Sequence, residues 1–175
     1  MPDQCYPYAL LVIDVQQGLF ERPTPIYEAK SLLSNLHTLI KHSRQQGALV
    51  VFVQHDNDNL LRKESPAWQL HHSLQPQPED VHIYKQHGSA FEETNLGAEL
   101  SSRGIRQLVI CGLVTHGCVK AGSLDALKQG YQVILIADAH SSYSKDAAKL
   151  IKQWNAKIEQ AGAILHTTQQ FIQHL

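Results

Sequence analysis

Apolar runs and amphipathic stretches alternate along most of this chain. Tyr8 to Val15, YALLVIDV, is apolar up to Asp14. A run without polar alternation predicts a central parallel strand covered on both faces. Leu32, Leu33, Leu36, Leu39 and Ile40 then recur at helical spacing. Thr24-Pro25 is suited to cap and start that helix, and Gly47 to end it. Ala48 to Val53, ALVVFV, predicts a second buried strand, and Val81 to Lys85, VHIYK, a third. Thr94 to Arg103 reads as a helix stopped by Gly104. Arg106 to Cys111 is a fourth strand, broken at Gly112, and a small-residue segment carrying Cys118 restarts as a helix to about Gln129. Tyr131 to Ala137 is a fifth strand. Lys145 to Ala161 is a helix with Ala147, Ile151, Trp154 and Ile158 facing inward. Ala163 to His166 is a short last strand, followed by a helical tail with Phe171, Ile172 and Leu175.

This alternation predicts an α/β fold: one domain, residues 1–175, with an open parallel six-stranded sheet and helices on both faces. Right-handed crossovers put most strand ends on one rim, where such sheets bind ligands. Asp14, Lys85 and Cys118 each fall at or just beyond a strand end, so the topology predicts that they converge. Two stretches escape the alternation. Gly18 to Pro25 reads as a loop. Gln54 to Asp80 is long and polar and holds three of the seven prolines, with a possible helical turn around Ala67 to His72. It leaves the end of the second strand, so it either lines a pocket or makes a surface excursion.

Composition narrows the function classes. A net charge of -1, with no long Lys/Arg run, argues against a nucleic-acid surface. No apolar run reaches the ~18 residues of a membrane span. The start MPDQCYPYALLVID has no basic region followed by an apolar core and cleavage site, so no export signal is inferred. Three irregularly spaced cysteines, Cys5, Cys111 and Cys118, make a poor disulfide framework and suit a reducing cytoplasm. No Cys-x-x-Cys and no glycine-rich phosphate motif occurs, which removes support for disulfide redox chemistry and nucleotide binding.

The chemistry centres on the three rim residues. An ordinary thiol is mostly protonated at neutral pH, and a helix N-terminus or an ammonium favours its thiolate. A carboxylate can accept the thiol proton. Cys118 as nucleophile, Asp14 as proton carrier and Lys85 as counter-charge form a workable set. Each also has a structural explanation alone: a core cysteine, a capping carboxylate, a solvated lysine. Backbone N–H groups around Thr115 to Cys118 are candidates for an oxyanion site. On this reading Cys118 alkylates faster near neutral pH than Cys5 or Cys111.

Four segments, LLVIDVQQGLF, YKQHGSAFEETNL, GLVTHGCVKAGSLDA and VILIADAHSS, resemble the isochorismatase-like cysteine hydrolases in order and spacing. The resemblance implies a Rossmann-like sheet and a Cys–Asp–Lys triad, here Asp14, Lys85 and Cys118. It also implies a cis peptide bond before the motif threonine, at Val114–Thr115, and a pocket wall at Phe91. The implied reaction is hydrolysis of a small amide or related C–N bond through a covalent thioester on Cys118. Vinyl-ether hydrolysis, in which the cysteine is dispensable, and a non-catalytic binding module of the same fold are the alternatives. Nicotinamidase-type members carry an Asp-x-His metal pair after the second strand, whereas this chain has Gln54-His55-Asp56-Asn57-Asp58. No metal and no cofactor is therefore expected, although His55, Asp56 and His71 are of metal-binding type. Gly122 stands where members often have Thr, a change expected to affect packing.

Phe20, His55, Trp68, His116 and His140 complete the candidate pocket, each with packing, hydrogen bonding or solvent exposure as its plainer role. The expected partner is a small-molecule substrate, with neither nucleic acid nor membrane. The resemblance also implies a homodimer or homotetramer.

Overall fold

A computed structural model describes residues 7–174. Cys5 and Leu175, named above, lie outside them. In chain order the elements are β1 (Ala9–Ile13), α1 (Gln17–Phe20), α2 (Ala29–Gln45), β2 (Leu49–His55), β3 (Val81–Lys85), α3 (Leu96–Ser102) and β4 (Gln107–Leu113). A π-type turn, Thr115–Val119, then leads into α4 (Lys120–Lys128), β5 (Gln132–Ser141), α5 (Ala147–Gln160), β6 (Ile164–His166) and α6 (Thr168–His174).

All six strands are parallel, in the order β3-β2-β1-β4-β5-β6. β1 is buried at every position, as its unbroken apolar run requires of a strand covered on both faces. Successive side chains point to opposite faces. Leu10 and Val12 join Phe52, Val109 and Cys111 against Leu32, Leu36, Leu39 and Ile40 of α2 and Phe171 of α6. Ala9, Leu11 and Ile13 join Val51, Val53, Leu108 and Ile110 against α3, α4 and α5, through Leu96, Leu100, Ala126 and Ile158. The helices therefore divide between the two faces.

The chain leaves β1 toward β2 and returns to β4 on the opposite side. The crevice between the carboxyl ends of β1 and β4 is the point at which open α/β sheets bind ligands. Asp14 follows β1, with its amide on Val53 O at 2.9 Å and a left-handed φ of 51°. Gly112 lies beside it in register with Ile13. A Cβ there would come 2.1 Å from Ile13 O, and its φ is +117°. Glycine is required by this contact rather than as a strand breaker: β4 continues through it to Leu113.

Other boundaries also differ from expectation. Gln17–Phe20 forms a single helical turn inside the expected loop. α2 starts at Ala29, not at Pro25. Tyr27 N–H donates to Ser142 O at 2.9 Å and Ser141 Oγ donates to Tyr27 O at 2.6 Å, which holds the preceding segment out of the helix. The long segment after β2 is anchored to the chain after β1. Gln17 N–H donates to Gln69 O and Gly18 N–H to Ala67 O, both at 2.8 Å. Its regular piece is a 3-10 turn at His72–Leu74 rather than a helical turn from Ala67. Among the described residues, no helix is long and apolar enough to cross a membrane.

Candidate active site

Three strand ends deliver Asp14, Lys85 and Cys118 to the crevice. Lys85 closes β3, and Cys118 sits in the turn between β4 and α4. The Asp14 and Lys85 side chains are 4% and 0% exposed. Lys85 Nζ lies 3.1 Å from Asp14 Oδ2, 3.2 Å from Cys118 Sγ, 3.0 Å from His55 Nδ1 and 3.1 Å from His87 O. Four acceptors thus compete for three N–H donors. The other carboxylate oxygen, Asp14 Oδ1, is buried with no hydrogen-bond partner. Such a group is costly unless it has work to do.

Charge explains the resting state. Burial and the Asp14 carboxylate push the Cys118 thiol up to about 12, with Lys85 opposing them. This direction runs counter to the expectation of a resting thiolate that alkylates quickly. Losing the proton to water would leave a net negative charge in a poorly solvated site. Moving it from Cys118 to Asp14 leaves the net charge of the group unchanged, and only the anion facing Lys85 changes. Burial, and then the Lys85 charge, lower the His55 pKa and favour its neutral form. Accepting from Lys85 at Nδ1 places the His55 proton on Nε2.

Asp14, His55 and Cys118 offer ligand-type atoms within 4.8 Å of one another. Lys85 Nζ bonds to all three, so an ammonium already occupies the position a cation would take. His71 instead contacts Ser73 Oγ at 2.8 Å, and Asp56 contacts Gln86 at 3.3 Å, so neither extends that group.

A cavity of about 240 Å³ opens over Cys118. Asp14, Cys118, His55 and Val114 line one end; Leu19, Arg22, Asn57, Asn59, Leu60, Leu61 and Tyr143 line the rest. The long segment after β2 therefore contributes its wall from the same chain.

Several expected pocket residues lie elsewhere. Phe20 packs on His71 at 4.5 Å. Trp68 is buried against Tyr84 at 5.3 Å, and its carbonyl, bound by Gln16 and Gln54, fixes it there. Phe91 stacks on Tyr131 at 5.6 Å, because Ser89 bonds to Asp125 of α4 and turns that loop away. His116 Nδ1 is 3.4 Å from Ser142 Oγ, which draws it toward the end of β5. The cis peptide bond is Leu113–Val114, one bond earlier than expected, at the end of β4. Gly122 packs near Ile13, whose Cδ1 would be 3.3 Å from an added Cβ.

His140 is buried and does not line the cavity over Cys118 either. Its Nδ1 is 2.8 Å from Thr115 Oγ1 and its Nε2 is 2.7 Å from Asn155 Oδ1. Asn155 Nδ2 donates to Ala137 O at 3.2 Å, so Oδ1 must accept from His140 Nε2. Thr115 then donates to Nδ1. Burial lowers the His140 pKa to about 4, which keeps this one-directional chain neutral. Sequence reading missed Asn155 in this network. It did not single out Arg22 or, within the wall region 139–146, Tyr143, since neither stands in a motif.

The isochorismatase domain model matches residues 8–170. The chain belongs to the isochorismatase family. It is 35% identical over 142 residues to a streptothricin hydrolase of Streptomyces noursei, covering 80% of this chain and 51% of that protein. It thus spans about half the length of that relative. A maleamate amidohydrolase of Pseudomonas putida is 28% identical over 156 residues, covering 76% of this chain and 73% of its own. The crystal structure of an isochorismatase family protein superposes with a TM-score of 0.87 at 30% identity, covering 91% of this chain and 98% of that one. These matches agree with the six-stranded parallel sheet and with the family resemblance of the four segments.

Proposed function

We propose that this protein is a cysteine hydrolase that cleaves a small amide through a thioester on Cys118. The observation that carries the reading is the contact of one buried ammonium, Lys85 Nζ, with both Asp14 and Cys118. Two relatives are named hydrolase and amidohydrolase, which supports C–N bond cleavage.

Substrate enters the cavity, and the Cys118 proton passes to Asp14. Lys85 turns its N–H groups toward the new thiolate, a stronger acceptor than the thiol. The sulfur attacks the carbonyl carbon, and the oxygen takes the negative charge. Gly117 and Val119 N–H already donate to Val114 O, so oxyanion donors are sought among Thr115, His116 and Cys118. Asp14 returns the proton to nitrogen as the C–N bond breaks and the amine leaves. Water then attacks the thioester while giving a proton to Asp14. The C–S bond breaks and that proton returns to sulfur, leaving the acid and the free thiol.

Cys118→Ala is expected to abolish turnover, a loss of at least ~10³-fold, with an unchanged circular dichroism spectrum. Rapid quenching of the wild type with a small-amide panel should give a Cys118 peptide heavier by the acyl group. Full activity of the alanine variant would overturn the reading and favour chemistry that does not need the cysteine.

A further inference from the structure

One cation in the cavity is uncommitted. Lys85 is held by Asp14, but Arg22, on the segment after α1, has no carboxylate partner among the described residues. Its guanidinium lies over the Tyr143 ring, 4.0 Å from the centroid. Stacking engages the flat face and fixes its plane, while the N–H groups point outward along the edge. Arg22 Nε is sealed from solvent with no hydrogen-bond partner. Both residues line the cavity that holds Cys118.

Nε is closed to a ligand, and the two Nη groups at the end of the oriented guanidinium form the fork that fits a planar anion accepting two parallel N–H bonds. Asn57 and Asn59 can bond the same group, while Leu19, Leu60 and Leu61 suit a short carbon chain. We infer that Arg22 is a specificity residue which anchors a substrate carboxylate, so that the preferred substrates are small amides carrying a free carboxylate at the end remote from the scissile bond. This rests on the amidase reading above. Tyr143 is then a positioning residue that holds the plane of the guanidinium.

Two measurements test it. The first is binding of acetate, succinate, maleate and glutarate to wild type, Arg22→Met and Arg22→Lys by calorimetry, which needs no catalysis. At least one of these anions should saturate the wild type and bind Arg22→Met about 30-fold more weakly, with Arg22→Lys between them. The second is the ratio of kcat/KM for succinamate to that for its neutral isostere 4-methylpentanamide, expected to fall by a similar factor in Arg22→Met. Arg22-dependent anion binding without hydrolysis of either amide would sink the amidase reading and leave the anion site standing. No Arg22-dependent anion binding, or equal losses on both amides, would overturn the inference. If Arg22→Met does not fold, Arg22→Lys carries both comparisons, because lysine keeps the charge and loses the planar fork.

Discussion

Two polar clusters grip the turn that carries Cys118, and they are built on opposite terms. On one side, the charged pair Asp14 and Lys85 meets His55 and Cys118 beside a cavity, with more acceptors than donors and one carboxylate oxygen unmatched. On the other, Thr115, His140 and Asn155 form a neutral chain in which each donor meets one acceptor. The proposed mechanism has a proton change places in the first cluster, where bonds are under-supplied. The second resists rearrangement because every partner is spoken for. On the proposed mechanism the cysteine thus sits between a part that changes state and a part that holds the turn still.

The comparison breaks most visibly on the charged side. On the proposed mechanism Asp14→Asn removes the proton acceptor, and Lys85→Met removes the group that stabilises the thiolate. Each should lower kcat/KM by at least ~10³-fold in steady-state assays. Lys85→Met should also lose about 3–5 kcal/mol of stability in urea unfolding, because it strands a buried carboxylate. Wild-type stability with Lys85→Met would mean that the pair is more solvated than its burial indicates.

The neutral side should show itself in pH dependence rather than turnover. His140 is held at about 4 in the folded protein against an ordinary 6.5. Below about 6.5 the unfolded chain takes up a proton that the folded chain refuses. The His140 contribution is therefore full above 6.5, falls as pH drops toward 4, and amounts to about 3 kcal/mol. Urea unfolding at pH 7.5 and 4.5 should show this loss in the wild type, and His140→Gln should remove it. An identical pH slope in both proteins would reassign the effect to other groups.

The smallest effect separates the two described cysteines. Cys118 has a raised pKa but borders a cavity, so iodoacetamide should label it slowly at pH 7.5 and faster with each rise in pH. Cys111 is fully buried in apolar surroundings, with burial raising its pKa, and should label only on unfolding. Rapid labelling of Cys118 at neutral pH would show that Lys85 outweighs burial in the free enzyme.

Much of the rim was legible because the relevant signals are local. Asp14, Lys85 and Cys118 each terminate or follow an apolar run, and a parallel sheet brings such ends together whatever the intervening loops do. Wall residues carry no such mark. Phe91 and Trp68 are aromatic residues near strand ends, yet Ser89–Asp125 and the contacts of Gln16 and Gln54 with Trp68 turn them to other surfaces. Arg22 and Tyr143 are 121 positions apart and meet only through a cation–π stack.

By itself the sequence determined the alternating α/β order, the covered central strand and the residues delivered to the carboxyl rim. These follow from hydrophobic periodicity and chain handedness, which act residue by residue. Only the tertiary structure decided that burial and Asp14 favour the thiol form of Cys118, that His140 holds Thr115 rather than lining the cavity over Cys118, and that Gly112 serves a close strand contact. Burial, opposing charge and packing distance are properties of groups brought together from far along the chain, and they exist only once the fold has assembled them.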